Sequence, residues 1–185
     1  MVNAVTAMPK MKALFSPQGG ISKELSRLIQ AARVEIALAA YAFSSKYLGN
    51  ALAAARKRGV TVCIILDKDT ADHAYSIDEW LVAQGIDTRF IQVKNGCMHH
   101  KFMLIDNKIL ITGSYNFTND SEFRNYEAAI FTKDKTLLQA FSAEFDRLWP
   151  LALAPSLPAS PSSKRPSPDR RHRRPWGEGV GDEGQ

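Results

Sequence analysis

Two histidines, a lysine and a Gly-Ser-x-Asn turn are gathered in the stretch MHHKFMLIDNKILITGSYNFTND, residues 98–120. Their spacing, H-x-K-x4-D-x6-G-S-x-N, is filled by His99, Lys101, Asp106, Gly113, Ser114 and Asn116. An imidazole, an ammonium, a hydroxyl and an amide are the kinds of donor that phosphate oxygens accept best. The stretch therefore predicts a site for a phosphate group.

The alternation of side chains along a strand divides these residues between two faces. His99 and Lys101 are two positions apart, so they point the same way, and His100 points the other way. Asp106 falls on the face of His100, at an Asp-Asn pair that predicts a tight turn between the strands HKFMLID and KILITGS. We therefore expect Asp106 to hold backbone at this turn, while the second strand returns the Gly-Ser-x-Asn turn toward His99.

A metal site is the alternative interpretation, because Cys97 precedes the two histidines in a Cys-x-His-His pattern. The usual zinc pattern needs a second pair of ligands, which this chain lacks. We therefore expect neither a metal nor another cofactor. The other cysteine, Cys63, lies in an apolar strand pattern typical of a buried thiol, so the two cysteines do not predict a disulfide framework.

Strands and helices alternate in the first half of the chain. Helical patterns cover 21–32, 46–59 and 76–85, and apolar strand patterns cover 34–43, 60–67 and 86–93. The order then changes to the predicted hairpin, a strand over 126–132 and an amphipathic helix over 134–149. The inner face of that helix is predicted to hold Leu137, Leu138, Phe141, Phe145 and Leu148. These elements predict an α/β fold with a mixed, largely parallel sheet flanked by helices.

Composition separates a folded part from a C-terminal tail. The chain has 185 residues and a net charge of +5, which the sequence divides into +3 for residues 1–150 and +2 for residues 151–185. After Pro150 the chain is rich in proline, serine, glycine and charge, and five arginines fall between Arg165 and Arg174. We expect one domain over residues 12–150 and a disordered tail over 151–185. The basic run of the tail predicts either a tether to a polyanion or merely solvated chain.

The six-residue spacing resembles the HKD motif of the phospholipase D superfamily and matches it in full. Further stretches, ALFSPQGG, AAYAFSS, AAARKRGV and FTND…NYEAAI, are similar to the small single-motif bacterial endonucleases of that superfamily. The resemblance covers about residues 12–150. It implies the fold of those nucleases and a metal-independent phosphodiesterase acting through a phosphohistidine.

The resemblance also implies a role for each residue of the motif. His99 would be the nucleophile, Lys101 and Asn116 would bind the non-bridging oxygens as charge builds up on them, and Ser114 would assist in positioning. Asp106 and Gly113 would be structural. In the small nucleases a glutamate on the following strand hydrogen-bonds a catalytic histidine, and Glu127 occupies the matching place.

The implied mechanism needs a second histidine to protonate the leaving group. His172 lies in the tail, His73 has no lysine two residues on, and His100 faces away from His99. The simplest solution is a homodimer that brings His99 of each copy to one shared site, as the small family members do.

Nucleic acid is the expected substrate, with sequence-tolerant cleavage of DNA or RNA. The basic cluster Arg56-Lys57-Arg58 and the basic tail could follow a phosphate backbone. The alternatives are a phospholipase D that converts phosphatidylcholine to phosphatidic acid and an inactive nucleic-acid-binding protein. Mitochondrial relatives carry an N-terminal anchor and a Cys/His zinc module, neither of which is recognised in this sequence, so we expect that group to be excluded. Without a recognisable signal peptide or membrane span, we expect a cytoplasmic protein, or a periplasmic or secreted one if an export signal precedes this start.

Overall fold

The structure is a computed structural model that describes residues 10–155. Its strands are β1 (Met11–Ser16), β2 (Glu35–Ala40), β3 (Thr61–Asp67), β4 (Asp87–Ile91), β5 (Lys101–Ile105), β6 (Ile109–Gly113) and β7 (Glu127–Thr132). Its helices are α1 (Ile21–Ala31), α2 (Lys46–Lys57), α3 (Lys68–Ala71), α4 (Asp78–Ala83), α5 (Asn119–Phe123) and α6 (Lys135–Leu148), followed by a 3-10 turn over Trp149–Leu151.

The strands form one seven-stranded mixed sheet in the order β1-β7-β6-β5-β2-β3-β4. β2, β3 and β4 are parallel neighbours, and the other four pairings are antiparallel. β5 and β7 run in one direction and the other five strands of the sheet run in the opposite direction. Four of the six pairs of neighbouring strands are nevertheless antiparallel, because β5 and β7 lie between strands of the other direction. The predicted α/β class, a mixed sheet flanked by helices in a single domain, is confirmed.

The sheet has two ends that matter for the site. At one end, which we call the carboxyl end, β2 and β3 finish and β5 begins, so that Ala40 is opposite Lys101. At the other, the amino end, Glu35 is opposite Thr61 and the backbone N–H of Asp106 donates to the carbonyl of Glu35 at 2.9 Å. His99 and Lys101 therefore lie at one end of β5, and Asp106, which belongs to the same motif, lies at the other end.

The hairpin of β5 and β6 turns at Asp106 and Asn107, as predicted. Both residues have positive φ values, 53° and 49°. Two consecutive left-handed residues are the requirement of a type I′ turn, and aspartate and asparagine tolerate that conformation better than most residues. The N–H of Lys108 donates to the carbonyl of Ile105 at 2.9 Å and closes the turn.

Helices cover both faces of the sheet. Against α1 and α2 lies the larger core, which includes Leu25, Ile29, Leu38, Leu52, Ile64 and Phe131. Against α6 lies a second core, which includes Ala39, Ile65, Phe102, Leu104, Phe145 and Leu148. The predicted inner face of α6 is wrong at one position, because Leu137 is 39% exposed at the beginning of the helix.

The end of the described chain is tied to the sheet. Phe90 and Leu153 exchange two backbone hydrogen bonds, of 2.9 and 2.8 Å. Folded structure therefore continues through Leu153, past the boundary expected at residue 150. The rest of the predicted tail, including His172 and the arginine run, lies outside the described residues. Among residues 10–155, no helix combines the length and apolarity needed to cross a bilayer.

Candidate active site

The segment that carries the histidines is fastened at the carboxyl end of the sheet. The N–H of Met98 donates to the carboxylate of Asp67, the last residue of β3, at 2.9 Å. The N–H of Tyr41, the first residue after β2, donates to the carbonyl of His100 at 2.9 Å. Because two neighbouring strand ends hold it, this short segment presents its side chains in a fixed arrangement.

His99 and Lys101 lie against the same aromatic ring. The ring of His99 is 4.5 Å from that of Tyr41, and Nζ of Lys101 lies 4.9 Å from the centre of the Tyr41 ring. The same ammonium donates to the carbonyl of His99 at 2.9 Å. An imidazole and a cation that share one support can act on one phosphate group.

His100 takes the opposite face of the sheet. Its Nε2 lies 3.0 Å from a carboxylate oxygen of Glu144 on α6, and its ring meets Phe102 edge-on. His100 is therefore directed away from His99, as strand parity predicts. The divergence also prevents Cys97, His99 and His100 from converging on one ion, and among the described residues no group of three or more possible ligands has suitable geometry for a metal.

The surroundings of His99 favour its neutral form. Partial burial lowers the pKa of His99, and the nearby charge of Lys101 lowers it further, against an opposing effect of Asp67. Burial also lowers the pKa of Lys101. A neutral imidazole has a free lone pair at physiological pH, which a nucleophile requires.

Gly113 and Ser114, at the end of β6, lie against the start of β7, to which Ser114 is hydrogen-bonded. The N–H of Ser114 donates to the carbonyl of Ala128 at 3.0 Å, and the N–H of Ala128 donates back to the Ser114 hydroxyl at 3.1 Å. A side chain at Gly113 would place a Cβ 2.0 Å from the carbonyl oxygen of Ala128. Only glycine permits this approach, which explains the glycine of the motif.

Ser114 and Asn125 hold the carboxylate of Glu127. The Ser114 hydroxyl donates to one oxygen at 2.5 Å, and the amide of Asn125 donates to the other at 3.2 Å. The pKa of Lys101 responds to the charge of Glu127, so the carboxylate lies in the electrostatic neighbourhood of the site. Within the part of the chain that the structure describes, Glu127 makes no hydrogen bond to His99, and its expected bond to a catalytic histidine stays a prediction.

Asn116 follows in a loop with fixed backbone. The carbonyl of Phe117 accepts the N–H groups of Ser44 and Ser45 at 3.1 and 3.0 Å, and the N–H of Thr118 donates to the carbonyl of Asn116 at 2.8 Å. The side-chain oxygen of Asn116 is buried and has no hydrogen-bond partner among residues 10–155. Buried polar atoms are normally paired, so this acceptor lacks the donor that such an atom normally has, and the binding of a phosphate oxygen by the amide N–H of Asn116 stays a prediction.

Asp106 serves the amino end of the sheet rather than the site. Its carboxylate accepts the backbone N–H groups of Arg33, Val34 and Glu35 at 3.0, 2.7 and 3.0 Å. Partial burial alone would raise the pKa of Asp106, but these three donors outweigh it and hold the pKa below its ordinary value. The carboxylate thus fixes the entry to β2 against the hairpin turn, which agrees with a structural role.

The basic cluster Arg56-Lys57-Arg58 does not lie near the site. It ends α2 at the amino end of the sheet, where Arg56 donates to the carbonyl of Gly85 at 3.1 Å and Arg58 donates to that of Ile29 at 3.0 Å. Two of the three side chains thus bind backbone carbonyls of neighbouring segments, the turn after α4 and the last turn of α1. The cluster thus lies at the opposite end of the sheet from His99, and its expected contact with a phosphate backbone stays a prediction.

Three contributors to the site went unnoticed in the sequence. Tyr41 supports His99 and Lys101, and Asp67 fastens the segment before β5. Glu122 is a buried carboxylate that accepts the N–H of Ser22 at 2.9 Å and the hydroxyl of Tyr115 at 3.0 Å, which anchors the loop of Asn116. Of these three, only Asp67 has a recognisable sequence signal, because a polar residue that ends an apolar strand is a candidate for holding a neighbouring segment.

The chain is similar in sequence to proteins of known families. The family model described as "Cardiolipin synthase, PLD-like domain" matches residues 25–149. The mitochondrial cardiolipin hydrolase of Homo sapiens is 39% identical over 128 residues, which are 68% of this chain and 50% of the relative. A phospholipase D of Rickettsia felis is 34% identical over 132 residues, 71% of this chain and 66% of the relative. The chain spans about half the length of the mitochondrial relatives.

Two solved structures share the fold. Nuc from Salmonella typhimurium, a phospholipase D family member, has a TM-score of 0.74 and 28% identity over 81% of this chain and 100% of its own. NucT from Helicobacter pylori has a TM-score of 0.68 and 22% identity over 78% of this chain and 99% of its own. The exclusion of the mitochondrial group does not extend to this domain, which is 39% identical to the human mitochondrial relative and 34% identical to the Rickettsia phospholipase D.

Proposed function

The chain belongs to the phospholipase D-like family, and on that basis we propose that it hydrolyses phosphodiester bonds with His99 as the nucleophile. The observation that carries this proposal is the support of His99 and Lys101 by one tyrosine ring at the carboxyl end of the sheet. The lowered pKa of His99 supplies the neutral imidazole that the reaction begins with.

The proposed reaction has two steps. In the first, a ring nitrogen of His99 forms a bond to phosphorus, the bond from phosphorus to the leaving oxygen breaks, and a second, protonated imidazole gives its proton to that oxygen. In the second, the same imidazole takes a proton from water, the water oxygen bonds to phosphorus, and the bond to His99 breaks. Lys101 and Asn116 bind the non-bridging oxygens, and Ser114 with Glu127 positions the groups around them.

A homodimer supplies the second imidazole in this proposal. His100 is held by Glu144 on the other face of the sheet, and His73 packs flat against Tyr75. His99 of a second copy, related by a two-fold axis, completes the pair. In support, exposed apolar side chains surround the start of β7 next to Glu127, namely Phe15, Phe123, Tyr126 and Ile130. Such a patch is typical of a surface that another chain covers.

Nucleic acid is the substrate that we favour. The amphipathic helices α1 and α6 turn their apolar faces inward, where Leu25, Ile29, Phe145 and Leu148 are buried. Within residues 10–155, neither helix therefore offers an apolar face to a bilayer, as a lipid-docking helix would. The same chemistry then acts on the diesters of DNA or RNA. A cytoplasmic location stays a prediction.

A phospholipid is the second candidate substrate, because the relatives of 39% and 34% identity are named mitochondrial cardiolipin hydrolase and phospholipase D. Phosphatidylcholine would then give phosphatidic acid. The third alternative, an inactive nucleic-acid-binding protein, would bind substrate without forming a covalent intermediate.

One experiment separates the three. The purified full chain is treated with EDTA and incubated in parallel with plasmid DNA, single-stranded RNA, phosphatidylcholine and cardiolipin, and samples quenched in SDS at mildly alkaline pH, where a phosphohistidine is stable, are examined for that intermediate. We expect nucleic acid to be cleaved despite the chelator. Cleavage of lipid alone would select the second candidate, and binding without cleavage or labelling would select the third. Activity that EDTA abolishes and Mg²⁺ or Zn²⁺ restores would contradict the mechanism.

A further inference from the structure

Three aromatic side chains, Tyr41, His73 and Tyr75, border the site on the side of β2 and β3, and we call them the aromatic wall. Tyr41 packs against His99, as described above. His73 and Tyr75 lie in the loop between α3 and α4, and α3 itself begins directly after Asp67. None of this loop belongs to the HKD spacing, so the proposed reaction leaves it without a role.

The loop is fastened to the segment that carries Tyr41. On α3, which leads into the loop, the hydroxyl of Thr70 donates to the carbonyl of Tyr41. The N–H of Ile77 donates to the carbonyl of Phe43 at 3.3 Å, and the N–H of Ser76 donates to that of His73 at 2.9 Å. The wall is therefore held in place beside the site and does not need a ligand to order it.

His73 and Tyr75 form a stacked pair. Their ring centres are 5.2 Å apart and their planes differ by 8°. Burial raises the pKa of the Tyr75 phenol, and the neighbouring Tyr41 and Asp67 groups raise it further. Tyr75 nevertheless remains 41% exposed. Nδ1 of His73 is buried without a hydrogen-bond partner in the described part of the chain, so the pair is not fully satisfied by the protein alone.

An exposed aromatic ring beside a phosphate site suits a nucleobase. Every base has a flat face, and stacking on tyrosine or histidine is tolerant of sequence. An acyl chain would instead require a continuous apolar groove. Around Tyr75 the same loop and α3 carry Asp69 and the ion pair of Lys68 with Asp72, and these charges interrupt any such groove.

We propose that Tyr75, backed by His73, stacks a base of a single-stranded nucleic acid whose adjacent phosphate lies at His99 and Lys101. This subsite rests on the proposed function and deepens it, because it assigns the substrate a base next to the scissile bond. It would add affinity without reading sequence.

The test compares two single strands that differ only in the bases flanking one cleavable phosphate. One oligonucleotide carries bases throughout, and the other carries abasic residues at those flanking positions. Steady-state kcat and KM are measured for the wild type, Tyr75→Ala, Tyr75→Leu and the conservative Tyr75→Phe. Loss of one stacked base costs roughly tenfold in affinity. We expect KM for the base-bearing strand to rise about tenfold in Tyr75→Ala and Tyr75→Leu, with wild-type values in Tyr75→Phe.

The abasic strand supplies the control. Its KM should be the same in all four proteins, and its cleavage reports that the site remains intact in each variant. Equal losses on both strands would make Tyr75 a structural residue, and unchanged KM on both strands would also overturn the subsite. If the wild type binds both strands equally, the nuclease stands and the subsite falls. If it cleaves neither strand but hydrolyses phosphatidyl lipids, the proposed nuclease function falls and the subsite with it.

Discussion

Tyr41 packs its ring against that of His99, with 4.5 Å between the ring centres and 58° between the planes. The same tyrosine supports the ammonium of Lys101 at 4.9 Å. Because the two groups proposed to attack and to bind the phosphate share this one support, Tyr41 can fix their separation. It follows directly after β2, so the sheet itself sets the position of the ring.

Replacing Tyr41 should therefore slow the reaction without abolishing it. A cation–π contact with a partly buried lysine contributes about 1–2 kcal/mol, which corresponds to roughly 5–30-fold in rate. We expect Tyr41→Leu to lower the single-turnover cleavage rate by about this factor and Tyr41→Phe to retain it. A wild-type rate in Tyr41→Leu, or an equal loss in Tyr41→Phe, would show that the aromatic face is not what positions Lys101.

Asp106→Asn should destabilise the protein more than it impairs the chemical step. The carboxylate accepts three backbone N–H groups at the start of β2, and one hydrogen bond to a charged group contributes about 1.5–3 kcal/mol. Urea unfolding measures the loss, and single-turnover cleavage measures the chemistry in folded protein. A fully stable Asp106→Asn variant without cleavage would overturn the structural role.

The pH dependence of that loss has a definite sign. The pKa of Asp106 is lowered on folding, so the carboxylate contributes stability above its unfolded pKa of about 3.9. That contribution disappears as the pH falls through the lower, folded pKa. The difference in unfolding free energy between the wild type and Asp106→Asn should be present at pH 7 and shrink in the acid range. A difference that does not change with pH would contradict the assignment.

The pKa of His99 should respond to Lys101. Burial lowers it first and the lysine charge second, so Lys101→Met should raise the pKa of His99 while leaving it below the ordinary value of about 6.5. Titration of the His99 ring by NMR measures the change without any need for activity. Lys108→Met, on the hairpin at the amino end of the sheet, is the matched control and should leave the titration unchanged. An unaltered pKa of His99 in Lys101→Met would contradict an electrostatic coupling between His99 and Lys101.

Sequence patterns predicted most of the strands and helices, because these elements depend on the hydrophobicity and turn residues of a short stretch of chain. The apolar runs of β2 and β3 and the Asp-Asn turn at Asp106 are strong patterns over a few residues. β1 is only half-buried on the edge of the sheet, and α3 and α5 are shorter than two turns, so none of them has a clear periodicity. No local pattern indicates that Glu122 is buried, because one of its hydrogen-bond partners, Ser22, is distant in the chain. The distance of the basic cluster at Arg58 from His99 follows from the strand order, which no local pattern contains.

Removing the C-terminal tail should separate a binding role from a structural one. Deletion of residues 156–185 keeps the pairing of Leu153 with Phe90, so we expect unfolding free energy to be unchanged. Binding to single-stranded nucleic acid should weaken, and its dependence on salt should become shallower, because the arginine run is gone. Deletion of residues 150–185 is the contrasting variant. It removes Leu153 and its pairing with Phe90, so it should weaken binding in the same way and, in addition, lower the free energy of unfolding. Unchanged affinity and salt slope after the shorter deletion would leave the tail as solvated chain.

The proposed shared site makes the strongest prediction, since one chain supplies only one His99. Attack on phosphorus and protonation of the leaving oxygen need two imidazoles in opposite protonation states. A separated monomer would keep phosphate affinity through Lys101 and Asn116 but would lack the general acid, whose loss costs roughly 10²–10⁴-fold. Tyr126→Glu, in the exposed apolar patch at the start of β7, should separate the copies and lower activity accordingly, as analytical ultracentrifugation and cleavage assays on the same samples would show.

A mixed dimer tests the sharing itself. When wild-type and His99→Ala chains with different tags are co-expressed, the doubly tagged dimer has one imidazole in its single site. It can use that imidazole to attack or to protonate, but not both, so its activity should fall by at least the roughly 10²-fold that the loss of general acid catalysis costs. A mixed dimer of wild-type and His100→Ala chains is the control and should stay near full activity, because His100 lies on the opposite face with Glu144. If the His99→Ala mixed dimer, free of wild-type dimer, retains half the activity, each chain has its own complete site and the shared-site proposal fails.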